Sequence, residues 1–112
     1  MRQKFIAGNW KMYTTGPTAE ALASAVAQGL GNETRVRVAL CPPFPYFWRV
    51  ESAIRNSPII LGAQNFYPEP EGAFTGEVSA TMLATAPAKS SARTCRCLCA
   101  VVISPVPMGF VR

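Results

Sequence analysis

Two polar side chains stand directly behind an apolar run. Phe5-Ile6-Ala7-Gly8 leads into Asn9-Trp10-Lys11-Met12. A short strand covered on both faces needs no polar alternation, so Phe5 to Gly8 reads as a strand buried on both sides. Asn9 and Lys11 then lie at its carboxyl end, where the ligand sites of α/β folds gather. An amide there can hydrogen-bond a substrate, and an ammonium can neutralise an anionic one. On extended backbone the two side chains would point the same way. Spacing alone leaves a plainer reading open, with Lys11 a solvated loop lysine and Asn9 a turn former. A second constellation is Cys95, Cys97 and Cys99, which alternate and would share one face of a strand. Cys41 could complete a four-thiolate zinc site with them. That signal is weak, because structural zinc ligands come more often as C-x2-C pairs and the chain has no histidine.

The elements that would position Asn9 and Lys11 follow in order. Thr14-Thr15-Gly16-Pro17 delivers a proline to the opening turn of a helix, where its missing N–H costs nothing. Leu22, Val26, Gly29 and Leu30 recur at helical spacing, and Gly31-Asn32 ends the run. Val36, Val38, Leu40 and Cys41 make a second strand, with Arg35 and Arg37 near its entrance, stopped by Pro42-Pro43. A second helix is expected over residues 45–55, with Phe47, Val50 and Ile54 on its packed face and Arg49, Glu51 and Arg55 solvated. Asn56-Ser57-Pro58 closes it, and residues 59–63 form a third strand. Strand alternating with helix implies a parallel sheet with right-handed crossovers. The connection 64–78 is far longer than the usual two to six residues or so of such units. Its Pro68, Pro70, Gly72 and Gly76 around Phe74 and Thr75 suggest a stiff projection with an apolar tip, and Ser79 is placed to cap a third helix.

Charge narrows the partners. The net charge of +5 is concentrated late in the chain, since residues 86–112 carry Lys89, Arg93, Arg96 and Arg112 with no acid. Four scattered cations form a weak basic patch, and Phe110 is their only aromatic neighbour in that stretch, so nucleic acid is not an expected partner. No apolar run approaches the length of about 18 residues that a membrane span requires. The short run before Asn9 is no secretory signal. A cytosolic, reducing compartment fits Cys41 as a small apolar residue in a buried strand.

Four stretches carry a specific resemblance: Ala7-Gly8-Asn9-Trp10-Lys11-Met12, Cys41-Pro42-Pro43-Phe44-Pro45, Leu61-Gly62-Ala63-Gln64-Asn65 and Glu71-Gly72-Ala73-Phe74-Thr75-Gly76-Glu77-Val78-Ser79. In order and spacing they resemble the amino-terminal part of triosephosphate isomerases, over about residues 4–85. The resemblance implies an α/β fold, a partial (β/α)8 barrel of about three parallel strands with crossover helices in residues 1–85, followed by a non-matching tail over 86–112. It implies that Asn9 and Lys11 bind a small phosphorylated triose and that Lys11 assists catalysis electrostatically. It also implies a homodimer, with Thr75 at the tip of the long loop, together with Phe74 and Glu77, against the partner subunit. No cofactor or metal is implied.

The resemblance stops where Ala86-Pro87-Ala88-Lys89 replaces the glycine and fourth strand of the family pattern, and no His-Ser-Glu-Arg segment follows. The loss of acids and gain of Cys, Arg, Ser and Pro is what an out-of-frame or mis-joined reading of a gene would produce. A full barrel needs about 250 residues, and this sequence has 112, so open strand edges are expected. In triosephosphate isomerase a glutamate base, a neutral histidine and a closing loop carry the proton transfer. With no histidine and no matching glutamate, the chain is expected to be inactive alone. The competing class is a small non-enzymatic binding module with a Cys-rich basic tail.

Overall fold

The computed structural model describes residues 3–84. Three parallel strands lie in the order β1, β2, β3. β1 is Lys4–Asn9, β2 is Val36–Cys41 and β3 is Ile60–Leu61. Between them run α1 (Gly16–Leu30) and α2 (Phe47–Ile54), the latter entered through a 3-10 turn at Phe44–Tyr46, and α3 is Ala80–Ala84. This is the expected α/β arrangement of strands and crossover helices, consistent with part of a (β/α)8 barrel. The boundary proposed at residue 85, the tail and its three cysteines lie outside the described residues.

The helix limits follow from their residues. Ahead of α1 the Thr15 N–H donates to the Thr18 hydroxyl at 2.8 Å, half of a capping box with threonine in the usual place of glutamate. Pro17 sits in the first turn, and the helix ends at Gly31, whose φ of 55° suits a residue without Cβ. Before α3, Ser79 Oγ accepts the Met82 N–H at 3.1 Å, the expected cap.

β1 and β2 pair over their whole length, from Lys4 opposite Val36 to Asn9 opposite Cys41. β2 and β3 pair at Ala39 with Ile60 and Leu40 with Leu61. Gly62 N–H adds one bond beyond that ladder by donating to Leu40 C=O at 2.6 Å, but the third strand itself is Ile60–Leu61, shorter than the expected 59–63. Leu40 and Leu61 face the helices and join Ala19, Ala23, Phe47, Val50, Ile54, Ile59, Ala63 and Leu83 in one buried cluster. Burying side chains of this kind stabilises by about 1.5–3 kcal/mol each for the larger ones.

Three expectations about burial need correction. Phe5 is 40% and Ile6 58% exposed. β1 is an edge strand of the described sheet: Ile6 shares the helix-facing side with Leu40, where the buried cluster takes side chains from β2 and β3 and none from β1, and Phe5 lies on the opposite face, away from that cluster. On the strand face away from Leu40, Arg37 lies over the Phe5 ring at 5.8 Å, between register partners. The packed stripe of α1 is Ala19, Ala23, Val26, Ala27 and Leu30, whereas Leu22 is exposed. Small residues such as Ala19 and Ala23 let α1 pack closely against α2. Glu51 is buried, not solvated, and its carboxylate accepts from Arg55 Nη2 at 2.9 Å one helical turn away. Arg49 instead reaches across to Glu20 at 3.1 Å and links α2 to α1.

Gly62 is constrained by its neighbour. A Cβ at this position would overlap Cys41 Sγ and lie 3.2 Å from Leu40 C=O. Gly62→Ala should therefore destabilise by about 1–3 kcal/mol through overpacking. Adding Cys41→Ala should recover part of that loss, as urea midpoints of the single and double variants would report. Additive losses would show that the sulfur is not the obstacle.

Candidate active site at the strand carboxyl ends

Because β1 and β2 are in full register, their carboxyl ends stop together at Asn9 and Cys41. Trp10 N–H extends the pairing by donating to Cys41 C=O at 3.0 Å. The chain then leaves the sheet abruptly. Lys11 has a φ of 53°, left-handed backbone that costs a residue with a Cβ about 1–2 kcal/mol. Asn9 and Lys11 therefore do not share a strand face, as extended backbone would have required. Asn9 Oδ1 instead accepts the Lys11 N–H at 2.8 Å and closes a small side-chain turn.

The carbonyl of Lys11 is held from the other side of the sheet. Gln64, two residues beyond Gly62, donates its Nε2 to Lys11 C=O at 2.8 Å and to Cys41 C=O at 3.0 Å. Both protons of one amide are used, and the ends of all three strands meet in it. Gln64 is the functional candidate that sequence reasoning passed over. The signal was present, since a polar residue directly behind an apolar strand is the same pattern that singled out Asn9.

Lys11 itself is exposed and has no ion pair among the described residues. Acids that might neutralise it are placed elsewhere: Glu20, Glu33 and Glu51 are paired with Arg49, Arg35 and Arg55. Glu69, Glu71 and Glu77 lie exposed in the connection 64–78. Arg35 beside Glu33 draws that carboxyl down to about 2, so it stays an anion bound to its own partner. Burial pushes the Cys41 thiol up to about 11, which makes it an inert neutral group beneath the site. No group of three or more metal-ligating side chains occurs among the described residues. The thiol cluster weighed from the sequence needs Cys95, Cys97 and Cys99, which lie outside them.

The long connection begins at Gln64 and is internally braced. Tyr67 N–H donates to Val78 C=O at 2.8 Å and Glu77 N–H to Phe74 C=O at 3.0 Å. Phe74 packs on Tyr67 with ring centroids 4.4 Å apart. Phe74, Thr75 and Glu77 are all exposed. The loop is thus a folded projection rooted in the same residue that holds Lys11.

Among the described residues, the non-glycine positions with positive φ are Lys11 and Thr14, both in the connection between β1 and α1. Strained backbone persists where its surroundings over-determine it, and such sites cluster at functional centres. Since glycine carries no left-handed penalty, a Lys11→Gly chain should be more stable than a Lys11→Ala chain by about 1 kcal/mol. Chemical denaturation of the two variants measures this. Equal stabilities would mean that Lys11 is not held left-handed in solution.

The triosephosphate isomerase family model matches residues 4–92 of the chain. A triosephosphate isomerase of Carboxydothermus hydrogenoformans is 53% identical over 83 residues, 74% of this chain and 33% of the relative. Those of Chloroflexus aurantiacus and a Roseiflexus species are 49% and 46% identical over 83 residues, with the same 74% and 33% coverage. The chain spans about one third of the length of these curated relatives. With Asn9, Lys11 and Gln64 gathered at the ends of parallel strands inside the matched stretch, the chain belongs to the triosephosphate isomerase family.

Proposed function

We propose that the chain is an amino-terminal part of a triosephosphate isomerase, an enzyme interconverting dihydroxyacetone phosphate and glyceraldehyde 3-phosphate, and that Asn9 and Lys11 are its substrate-binding residues. The observation that carries this reading is the left-handed Lys11, tethered at the strand carboxyl ends with its side chain left in solvent. An ammonium so placed attracts the phosphorylated triose and offsets the negative charge that develops as an enediolate forms. Asn9 fixes the backbone from which that ammonium projects.

Moving a proton between adjacent carbons also requires a base at carbon and a donor at oxygen. The 112 residues include no histidine, and the acids are all glutamates. Glu20, Glu33 and Glu51 are committed to arginines, and the other three sit on the projecting loop. The residues of this chain therefore supply binding and electrostatics without the proton-transfer pair. On this reading the working enzyme is a cytoplasmic homodimer in which Phe74, Thr75 and Glu77 of the braced loop contact the partner subunit. Among the described residues no helix is long and apolar enough to cross a membrane.

Removing a general base lowers turnover by about 10² to 10⁴, and here the electrophile is missing too. A coupled isomerase assay on the purified chain should give the same background rate as its Lys11→Ala variant. Dihydroxyacetone phosphate should nevertheless shift the amide resonances of Asn9 and Lys11 in the unaltered chain and not in the variant. Turnover above background that vanishes in Lys11→Ala would contradict the assignment of roles, because some residue of this chain would then be the base.

A further inference from the structure

We infer that Gln64 is the positioning residue of Lys11, setting the direction from which the lysine side chain leaves the sheet. The inference deepens the reading of Lys11 as a substrate-binding group and rests on it for its functional meaning.

A backbone residue is oriented by the two peptide planes on either side of its Cα. The plane before Lys11 is held through its N–H by Asn9 Oδ1 at 2.8 Å. The plane after it is held through its carbonyl by Gln64 Nε2 at 2.8 Å. Tethering one plane alone leaves the other torsion free to relax the left-handed φ of 53°. With both tethered, φ and ψ are fixed together, and so is the Cα–Cβ direction.

The second bond of the same amide makes the tether rigid. Gln64 also donates to Cys41 C=O at 3.0 Å, a carbonyl that already accepts the Trp10 N–H at 3.0 Å. Cys41 is buried at the end of β2, so Lys11 is referenced to the sheet and not to a loosely held loop. The pairing of β1 with β2 does not depend on Gln64, because the register from Lys4–Val36 to Asn9–Cys41 is complete without it. What Gln64 adds is confined to the strand ends, at Cys41 and at Lys11. Gly62 fits this role: the close approach it allows at Cys41 brings Gln64 within reach of both carbonyls.

The test uses the full 112-residue chain, isotopically labelled, as wild type and as Gln64→Glu and Gln64→Asn. An ionised glutamate keeps the shape but has no proton to donate and faces two carbonyl oxygens. Asparagine keeps the amide and is one methylene too short to span both. A left-handed residue shows a strong intraresidue amide-to-Hα Overhauser effect, which does not respond to global stability. In Gln64→Glu that effect should be lost at Lys11 while the β1 and β2 amide resonances stay in place. In Gln64→Asn it should weaken. Dihydroxyacetone phosphate should bind the glutamate variant about five- to tenfold more weakly, the scale of one to two lost hydrogen bonds. An unchanged Lys11 signature in a folded Gln64→Glu chain overturns the inference. So does collapse of the β1 and β2 resonances in both variants, since Gln64 would then support the whole sheet. If the signature changes but wild type shows no response to dihydroxyacetone phosphate, the positioning role stands and the substrate-binding reading of Lys11 fails.

Discussion

The structure depends at its functional end on one side-chain amide shared between two carbonyls. Gln64 joins the residue after β1 to the last residue of β2, and does so from the segment just beyond β3. Parallel strands hydrogen-bond along their length but have no device of their own for fixing what comes after their carboxyl ends. A residue held left-handed there relaxes unless both adjoining peptides are tied. Asn9 and Gln64 supply the two ties, and the energetic cost of Lys11's backbone is offset by hydrogen bonds of about 0.5–1.5 kcal/mol each.

That arrangement propagates outward. Close packing of Gly62 on Cys41 leaves no room for a side chain between the second and third strands, so their ends converge. Beneath them Leu40 and Leu61 join the helices in one buried cluster, and the small residues Ala19 and Ala23 let α1 pack closely against α2. On the outward side Gln64 opens the braced loop that carries Phe74, Thr75 and Glu77. The exposure of Phe5 and Ile6 marks the opposite limit, an edge strand whose apolar residues no described element covers.

Element types and most boundaries were legible in the sequence because local chemistry dictates them. Pro17 and Gly31 mark the ends of α1, Pro42 stops β2, and Ser79 caps α3. Burial was less legible, since it depends on which elements lie over a residue. Phe5 and Ile6 have the composition of a strand covered on both faces, yet edge position decides their exposure. Glu51 looks like a solvated helix residue until Arg55 is found one turn away. In the site, residue type pointed to Asn9 and Lys11, but alternation on a strand put them on one face. Asn9 as a turn former was the plainer reading of the sequence, but the left-handed backbone of Lys11 was not legible, because the second of its two ties comes from Gln64, 53 residues away along the chain. Long-range hydrogen bonds of that kind leave no periodic trace in a sequence.

Native-state amide hydrogen exchange on the full chain tests the central claim, that Lys11 is held as part of the sheet's end and not as a free loop. Lys11 and Trp10 N–H groups should be protected together with Gly62 N–H, whose acceptors are Asn9 Oδ1, Cys41 C=O and Leu40 C=O. Lys11 exchanging at the rate of an unstructured peptide while Gly62 and Trp10 remain protected would contradict it.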